Sequence, residues 1–362
     1  MPDAGERHIL SIFSTFSVGG PQVRFCRVVA ALGAGYRHSV FAMDGNYGCA
    51  ERLPASANVA FPPVAMRKGA TMANVLGFAR TLSAMRPDIL LTHNWGTIEW
   101  AMANQLAGRR HLHIEDGFGP EERSAQIRRR VLTRRLFLRR ATVVVPSRTL
   151  HDIATRIWRL PEQRLRYIPN GIDLDAYQRE GSPPASGAVV IGTVAALRAE
   201  KNIARLIRAF ATLPRQDAAR LLVAGDGPER AGLEALATEL GLTDRVSFLG
   251  HTTDVPSVLS RCALFALSSD TEQMPLSVLE AMAAGLPVAA TDVGDVRAML
   301  AGENAAFVVP PEEGALARAL AGLAADPALR ARIGAANRRK AEAEFDERRM
   351  FDAYRSLFDG VS

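Results

Sequence analysis

The chain has 362 residues, of which 48% are hydrophobic and 23% charged, and its formal net charge is +6. This length is enough for two domains, and the composition excludes a wholly disordered chain. Three isolated cysteines, Cys26, Cys49 and Cys262, argue against a disulfide framework and a cysteine-based zinc site. No apolar run approaches the roughly 20 residues that span a bilayer, and the first residues lack the pattern of a signal peptide, so we expect a cytoplasmic protein.

Short apolar runs alternate with helical patterns along the chain, which predicts an α/β fold. The predicted strands cover residues 8–13, 89–91, 142–145, 189–191, 220–224, 246–249, 263–267 and 287–290. A stretch rich in Gly, Ser and Pro at 181–187 is the strongest break in the alternation. We therefore predict a first domain over 1–180, a linker over 181–187 and a second domain over 188–344. The helical pattern over 341–358 predicts a C-terminal helix, about 345–362, that packs on the first domain.

The first glycine turn, Ser17-Val18-Gly19-Gly20-Pro21, follows the first predicted strand. Two glycines let a ligand approach the backbone closely, and proline suits the first position of a helix. The N–H groups at such a helix start can bind an anion. A tight turn without a ligand is the alternative interpretation.

A second candidate segment, His93-Asn94-Trp95, follows the predicted strand at 89–91. Open α/β sheets bind ligands at the carboxyl ends of their strands. We therefore expect His93 and Asn94 to contact an acceptor substrate. A buried structural histidine is the alternative.

Most of the positive charge lies in the first half of the chain. Residues 1–175 hold 24 Lys and Arg against 14 Asp and Glu, whereas the remainder holds 20 against 24. Residues 123–140 include eight arginines and no acid, with Ile127, Val131 and Leu138 at helical spacing. Such a helix suits an anionic membrane surface or a phosphorylated substrate, and a solvated face is the alternative. Nucleic acid is not the expected partner, because no recognition motif accompanies the arginines.

A further glycine turn, Gly225-Asp226-Gly227-Pro228, follows the predicted strand at 220–224. It resembles half of a dinucleotide-binding fingerprint, but Arg230 stands where the third glycine is required. We therefore do not interpret it as a site for a nicotinamide cofactor.

The most informative segment is 272–287. It predicts a loop at Glu272, a helix from near Pro275, a stop at Gly285 and a strand from Pro287. Glu280 then lies within the helix. The helix N-terminus would face a phosphate group between two carboxylates that can accept hydroxyl hydrogen bonds, which is the chemistry of a nucleotide sugar.

This segment resembles the signature of the family-four retaining glycosyltransferases, in which seven residues separate two glutamates. Other segments match that family in the same order: Gly19-Gly20, Pro169-Asn170-Gly171, Ile191-Gly192-Thr193-Val194, Glu200-Lys201-Asn202, Gly225-Asp226-Gly227-Pro228 and Val293-Gly294. The resemblance covers nearly the whole chain and is stronger in the second half. It implies the GT-B fold, in which two Rossmann-like domains face each other across a cleft.

The resemblance also implies roles for individual residues. Glu272 would hold the hydroxyls of the donor hexose, and Glu280 those of the ribose. Lys201 and Arg198 would neutralise the diphosphate as it leaves, without a metal or another cofactor. The remaining donor-binding positions are the backbone around Gln273, Met274, Pro275, Leu276 and Ser277, with Gly19 and Gly20 in the first domain.

The chain departs from the family pattern at two places. The arginine usually found before the lysine is replaced by Ala196, so Arg198 would substitute for it. The family histidine beside the reacting sugar corresponds to either His113 or Asp116, and alignment on Gly117-Phe118 favours Asp116. Either side chain could accept the proton of the acceptor hydroxyl, and a turn-forming aspartate is the alternative. Glu115 beside them is expected on the acceptor side.

We therefore expect a retaining glycosyltransferase that moves a hexose from a UDP- or GDP-sugar to a saccharide or lipid-linked acceptor, in polysaccharide or glycolipid assembly. The basic segment predicts a peripheral location on the inner face of a membrane. Asp173-Leu174-Asp175 resembles a metal motif of another glycosyltransferase fold, but we expect it to cap local structure and predict no metal. The alternative function is a degenerate GT-B protein that binds a nucleotide sugar or a partner without turnover.

Overall fold

The structure is a computed structural model that describes residues 6–67, 69–118, 120–122, 125–177, 189–214 and 219–361. The chain divides into two compact units. The first contains Met1–Pro169 together with Met350–Ser362, and the second contains Asn170–Arg349.

In the described part of the first unit, seven strands form one sheet in the order β3-β2-β1-β4-β5-β6-β7. The strands are β1 (Arg7–Phe13), β2 (Tyr36–Ala42), β3 (Val59–Ala60), β4 (Ile89–His93), β5 (Arg110–Ile114), β6 (Thr142–Val145) and β7 (Leu165–Tyr167). The helices are α1 (Gly20–Leu32), α2 (Thr71–Met85), α3 (Ile98–Ala107), α4 (Arg128–Phe137) and α5 (Arg148–Arg156). All neighbouring strands are parallel, and one of the five helices lies in each connection between consecutive strands except that between β2 and β3.

The second unit has six described strands in the order β10-β9-β8-β11-β12-β13, again all parallel. The strands are β8 (Val190–Val194), β9 (Arg220–Ala224), β10 (Val246–Gly250), β11 (Leu264–Leu267), β12 (Val288–Thr291) and β13 (Val308–Val309). The helices are α6 (Ile203–Ala211), α7 (Arg230–Glu239), α8 (Val255–Ser260), α9 (Leu276–Ala283), α10 (Val296–Met299), α11 (Glu313–Ala325) and α12 (Pro327–Glu344). These two parallel sheets confirm the predicted α/β class.

The last helix, α13 (Glu347–Asp359), joins the core of the first unit from Met350 onward. Tyr354 and Phe358 are buried in the cluster that contains strand β1. Arg7 and Arg110 each donate a hydrogen bond to the carbonyl oxygen of Phe358, at 2.7 and 2.8 Å. These hydrogen bonds attach the end of α13 to β1 and β5.

Two boundaries differ from the sequence predictions. Residues from Asn170 group with the second unit, and the predicted linker at 181–187 lies outside the described residues. The helical pattern over 341–358 is interrupted between α12 and α13, because the backbone of Ile172 bonds to the carbonyl of Phe345 and to the N–H of Glu347. This local pairing removes two residues from the helical path.

The turn at 225–228 has a structural role. Gly225 and Gly227 have φ angles of +138° and +158°. A Cβ atom at Gly225 would lie 1.8 Å from the carbonyl oxygen of Ala195, and one at Gly227 would lie 2.5 Å from that of Leu197. The glycines therefore allow the loop after β8 to pack against the loop after β9.

Candidate functional site

The loops that follow β8 and β11 lie side by side in the second unit. The strand order of the sheet reverses between these two strands, which is where ligands bind in open α/β sheets. The Nζ atom of Lys201, after β8, lies 2.6 Å from Oε1 of Glu272, after β11. Ser269 donates a second hydrogen bond to the same carboxylate oxygen at 2.7 Å. The structure thus brings together two residues that the sequence places 71 positions apart.

Both loops are held in place by polar contacts beneath this pair. Arg205 forms an ion pair with Asp270 at 2.6 Å and donates to the carbonyl of Ser268 at 2.8 Å. The backbone N–H of Asp270 bonds to the carbonyl of Glu200, and the Ser268 hydroxyl bonds to the carbonyl of Lys201. The positions of the Lys201 and Glu272 backbones are therefore fixed relative to each other.

The backbone of the 272–275 loop is held from two further sides. The side-chain amide of Asn170 donates to the carbonyl of Met274 at 3.0 Å. Gly294, with φ +54°, packs so closely that a Cβ atom there would lie 2.3 Å from the carbonyl oxygen of Glu272. The neighbouring Asp295 N–H bonds to the carbonyl of Gln273 at 2.9 Å. The motif segments around 170 and 294 thus support the loop that carries Glu272.

Helix α9 begins as predicted, directly after Pro275. Its first N–H groups, at Leu276 and Ser277, have no acceptor within the helix and carry the partial positive charge of the helix start. Glu280 is half-buried, one turn further along. The Met274 side chain is buried in the core, so only its backbone is available to a ligand.

Arg198 is exposed and lies immediately before the turn that carries Lys201. Among the described residues, no ion pair is assigned to the Arg198 side chain. Its role on a diphosphate remains a prediction, as do those of Glu280 and Ser277.

In the first unit, the predicted residues gather at the carboxyl ends of β4 and β5. The side-chain oxygen of Asn94, after β4, accepts a hydrogen bond from the backbone N–H of Asp116, after β5, at 2.7 Å. The Asp116 carboxylate forms an ion pair with Arg24 at 2.6 Å and keeps 12% of its side-chain surface exposed. Asp116 is therefore the carboxylate of this group that solvent can reach.

Arg24 was not identified from the sequence. It lies on α1, one turn after Gly19 and Gly20, and is almost completely buried. Burial alone would lower the pKa of Arg24, but the Asp116 carboxylate and the Tyr354 side chain together outweigh this effect and raise it. Because Arg24 lies 92 positions before Asp116, no local sequence pattern indicates that the two residues pair.

His93, His113 and Glu115 are placed inside the unit and not at its surface. His93 is buried and stacked on Phe13, with ring centroids 3.9 Å apart, as the structural alternative predicted. Burial holds the pKa of His93 well below its usual range, and the charge of Arg24 lowers it further. His113 is fully buried and its Nδ1 atom lies 2.8 Å from the Thr92 hydroxyl. The acceptor-side and catalytic roles expected for these side chains stay predictions.

Glu115 contacts the basic segment. Its carboxylate is completely buried and lies 3.1 Å from Nε of Arg134, which is only 1% exposed. Arg134 also pairs with Glu122 at 3.3 Å, and Arg130 pairs with Glu121 at 2.6 Å and with Glu122 at 3.1 Å. Although residues 123–140 contain no acid, carboxylates outside the segment therefore compensate Arg130 and Arg134.

The other described arginines of this segment are exposed: Arg128, Arg129, Arg135, Arg139 and Arg140. Arg123 lies outside the described residues. Leu132 and Leu136, one helical turn apart on α4, are 56% and 58% exposed. Helix α4 thus exposes arginines and two leucines to solvent, while Arg134 on its other side pairs with the buried Glu115 and Glu122.

Gly19 and Gly20 begin α1 as predicted, with Pro21 in the first turn. Asp173 accepts hydrogen bonds from the backbone N–H groups of Asp175 and Ala176 at 3.1 and 3.2 Å, so it caps a short turn. Within the described ranges, no three His, Cys, Asp or Glu side chains are grouped so that they could hold a metal ion.

Two family models match the chain. Residues 18–176 match Glycosyltransferase Family 4, and residues 176–340 match Glycosyl transferases group 1. Together these models extend over both units.

Curated relatives and solved structures agree with these matches. The lipopolysaccharide core biosynthesis glycosyltransferase LpsD of Rhizobium meliloti is 36% identical over 49% of this chain and 50% of its own length. The D-inositol 3-phosphate glycosyltransferase of Saccharomonospora viridis is 29% identical over 78% of this chain and 73% of its own. The chain spans half or less of the length of the first curated relatives that it matches. The structure of Anabaena Alr3699/HepE in complex with UDP-glucose aligns with a TM-score of 0.80 at 20% identity, over 98% of this chain and 99% of that one, which shows a shared fold.

Proposed function

The chain belongs to the glycosyltransferases described by these two family models, and from this premise we propose that it transfers a hexose from a nucleotide-diphosphate sugar to an acceptor hydroxyl. The observation that carries the proposal is the contact between Lys201 and Glu272 at the point where the strand order of the second sheet reverses. A cation and a carboxylate at this position match the two ends of a donor: the diphosphate and the sugar hydroxyls.

Different residues of the second unit would bind different parts of the donor. The ammonium group of Lys201 would stabilise the negative charge that grows on the departing diphosphate, together with the N–H groups at the start of α9. Glu272 would accept hydrogen bonds from the hexose, and Glu280 from the ribose. Because Glu272 already contacts Lys201, one pair would position both halves of the donor.

We propose UDP or GDP as the nucleotide, and retention of configuration at the transferred carbon, on the strength of the family-four resemblance. The complex of HepE with UDP-glucose supports a nucleotide sugar as the donor class. The name of the relative LpsD, in lipopolysaccharide core biosynthesis, supports a saccharide or lipid-linked acceptor in polysaccharide or glycolipid assembly.

Nucleotide binding tests the donor site directly. Calorimetry with UDP, GDP and ADP should identify one preferred nucleotide, and Glu280→Gln should weaken its binding about tenfold or more by removing a charged acceptor of ribose hydroxyl bonds. Glu239→Gln, an exposed carboxylate on α7, is the matched control and should bind like the wild type. Equal affinity of Glu280→Gln and wild type would contradict the assignment of Glu280.

The second candidate function is nucleotide-sugar binding without turnover, which Ala196 favours because it replaces a family arginine. A protein of that kind would bind the nucleotide in the same experiment and yet release no nucleoside diphosphate from any donor and acceptor pair.

We also propose that α4 attaches the protein to an anionic membrane surface. No helix in the described part of the chain is both long and apolar enough to cross a bilayer. Exposed Leu132 and Leu136 could enter the headgroup region while the surrounding arginines contact lipid phosphates. Each basic side chain near such a surface contributes about 1 kcal/mol, and salt screens the effect.

Vesicle sedimentation tests this surface. The wild type should sediment with vesicles that contain anionic lipid at low salt and be released at high salt. The variant Arg128→Gln/Arg135→Gln/Arg139→Gln should stay in the supernatant and remain folded, since all three side chains are exposed. Arg134 is left unchanged because it is buried. If the wild type does not sediment with anionic vesicles at low salt, membrane attachment through α4 is refuted.

A further inference from the structure

A cavity of about 460 Å³ lies in the first unit, apart from the Asp116 group. Met43 follows β2, and Trp95 and Gly96 follow β4, so one wall of the cavity is the carboxyl edge of the sheet. Residues of α2, α3 and α4 form the other walls. The volume is in the range of small-molecule sites, and the location is where open sheets bind ligands.

The apolar part of the wall is made by one aromatic ring and flexible side chains. Trp95 lines the cavity, and the guanidinium groups of Arg130 and Arg134 lie 4.9 and 5.1 Å from its ring centroid. Met66 and Met102 line the same space. This surface suits the apolar C–H face of a sugar ring, since an aromatic ring offers a large and rigid contact area.

The polar part is held in a fixed arrangement by hydrogen bonds. Glu99 on α3 accepts from the Thr71 hydroxyl at 2.6 Å and from the Asn74 amide at 3.0 Å. The buried Asn74 also bonds to both the N–H and the carbonyl of Arg67, each at 2.9 Å. Carboxylate oxygens have several acceptor positions, so Glu99 can still accept bonds from sugar hydroxyls.

Two arginines provide the positive charge of the cavity. Arg67 and Arg129 line it and are exposed, and among the described residues neither side chain has an assigned ion pair. Asn74 fixes the backbone of Arg67, and the buried Arg134 fixes the helix that carries Arg129. Arginine is the side chain best suited to phosphate and carboxylate groups.

We infer that this cavity binds the acceptor, and that the acceptor is an anionic saccharide: a sugar ring that bears a phosphate or carboxylate group. The ring would lie against Trp95 with its hydroxyls on Glu99, and the anionic group would lie between Arg67 and Arg129. This assignment rests on the proposed glycosyl transfer and narrows its acceptor class. The anionic group could belong to a soluble sugar phosphate or to the phosphodiester of a lipid-linked sugar.

Binding measurements on the full chain test the inference without requiring turnover. Glucose 6-phosphate should bind at least about tenfold more tightly than either glucose or inorganic phosphate, because only it engages both parts of the cavity. The double variant Arg67→Gln/Arg129→Gln should lose about tenfold in that affinity. Arg80→Gln, which removes an exposed arginine on α2 outside the cavity, should bind like the wild type.

A second ligand distinguishes the two sources of the anion. A short-chain alkyl glucosyl phosphate that binds more tightly than glucose 6-phosphate identifies a lipid-linked acceptor, and the reverse order identifies a soluble one. The inference is overturned if neither compound binds, or if the double variant binds both as well as the wild type does. Nucleotide binding by the same samples reports separately on the donor site, so the failure of one proposal is distinguishable from the failure of the other.

Discussion

Lys201 and Glu272 share one short contact, so the properties of each depend on the other. Sequence resemblance assigns the lysine to the diphosphate and the glutamate to the hexose, as separate tasks. The structure adds that the carboxylate also accepts a bond from Ser269. Removal of either charge therefore changes the electrostatics of both halves of the proposed donor site.

Replacing Glu272 should separate binding from turnover. Glu272→Ala removes the negative partner of Lys201, so affinity for the bare nucleoside diphosphate should be unchanged or higher, whereas turnover should fall about tenfold or more. Glu272→Gln keeps a hydrogen-bond acceptor, so its turnover should lie between those of the wild type and Glu272→Ala. Calorimetry and initial rates measure the two quantities, and an equal loss in both would contradict the role on the sugar.

His38 should make the first unit sensitive to acid. Burial, with a smaller contribution from the nearby His8, lowers the pKa of His38 to about 4. In the unfolded state His38 takes up a proton below about pH 6.5, whereas in the folded state it stays neutral until about pH 4. The free energy of unfolding therefore decreases as the pH falls below 6.5. Between pH 7 and pH 5 the decrease is about 2 kcal/mol.

Tryptophan fluorescence can follow this loss in the first unit alone, since Trp95, Trp100 and Trp158 all belong to it. Urea unfolding at several pH values should show a shallower pH dependence for His38→Phe than for the wild type. Identical slopes would mean that His38 does not titrate as its burial requires.

At the scale of elements, α4 is attached to the sheet by a buried charge cluster. Arg134→Met would remove the arginine partner of the buried Glu115 and would leave Glu122 with Arg130 alone. It should lower the free energy of unfolding of the first unit by about 3–5 kcal/mol. Arg135→Met, on the exposed side of the same helix, should change it by less than about 0.5 kcal/mol. Similar stabilities of the two variants, measured by tryptophan fluorescence in urea, would show that the cluster does not hold the helix.

The loop that carries Glu272 depends on a glycine in a neighbouring turn. Gly294→Ala would bring a Cβ atom to 2.3 Å from a backbone oxygen at φ +54°, so the loop must shift, at a cost of about 1–3 kcal/mol. Binding of the nucleotide sugar should weaken together with thermal stability. Gly302→Ala has open space around it and is the control. Unchanged donor affinity in Gly294→Ala would show that the loop is not part of the donor site.

Several elements could be predicted from local pattern, and others could not for identifiable reasons. Residues 142–145 and 220–224 are apolar runs and match β6 and β9 exactly in extent. Strand β2 was not predicted, because buried His38 and Ser39 interrupt its apolar pattern. The break between α12 and α13 arises from pairing with Ile172, a contact that helical periodicity does not record.

At the scale of the whole chain, motif order was enough to predict two α/β units. The contents of the first unit were harder to predict. The pairing of Arg24 with Asp116, and of Arg134 with Glu115, depends on which strands become neighbours in the sheet. Each of these arginines, viewed in the sequence alone, has the pattern of a solvated helix residue.

We propose that a nucleotide sugar is cleaved at the Lys201–Glu272 pair. The most direct test measures release of nucleoside diphosphate from a panel of UDP- and GDP-sugars, with saccharide and lipid-linked acceptors, by the wild type, Lys201→Met and Arg208→Met. Arg208→Met removes an exposed positive charge from α6 and is the matched control. We expect release from at least one donor by the wild type and by Arg208→Met, and a rate at least about tenfold lower for Lys201→Met. Equal rates for Lys201→Met and the wild type, or no release by the wild type from any donor and acceptor pair, would contradict cleavage at Lys201 and Glu272.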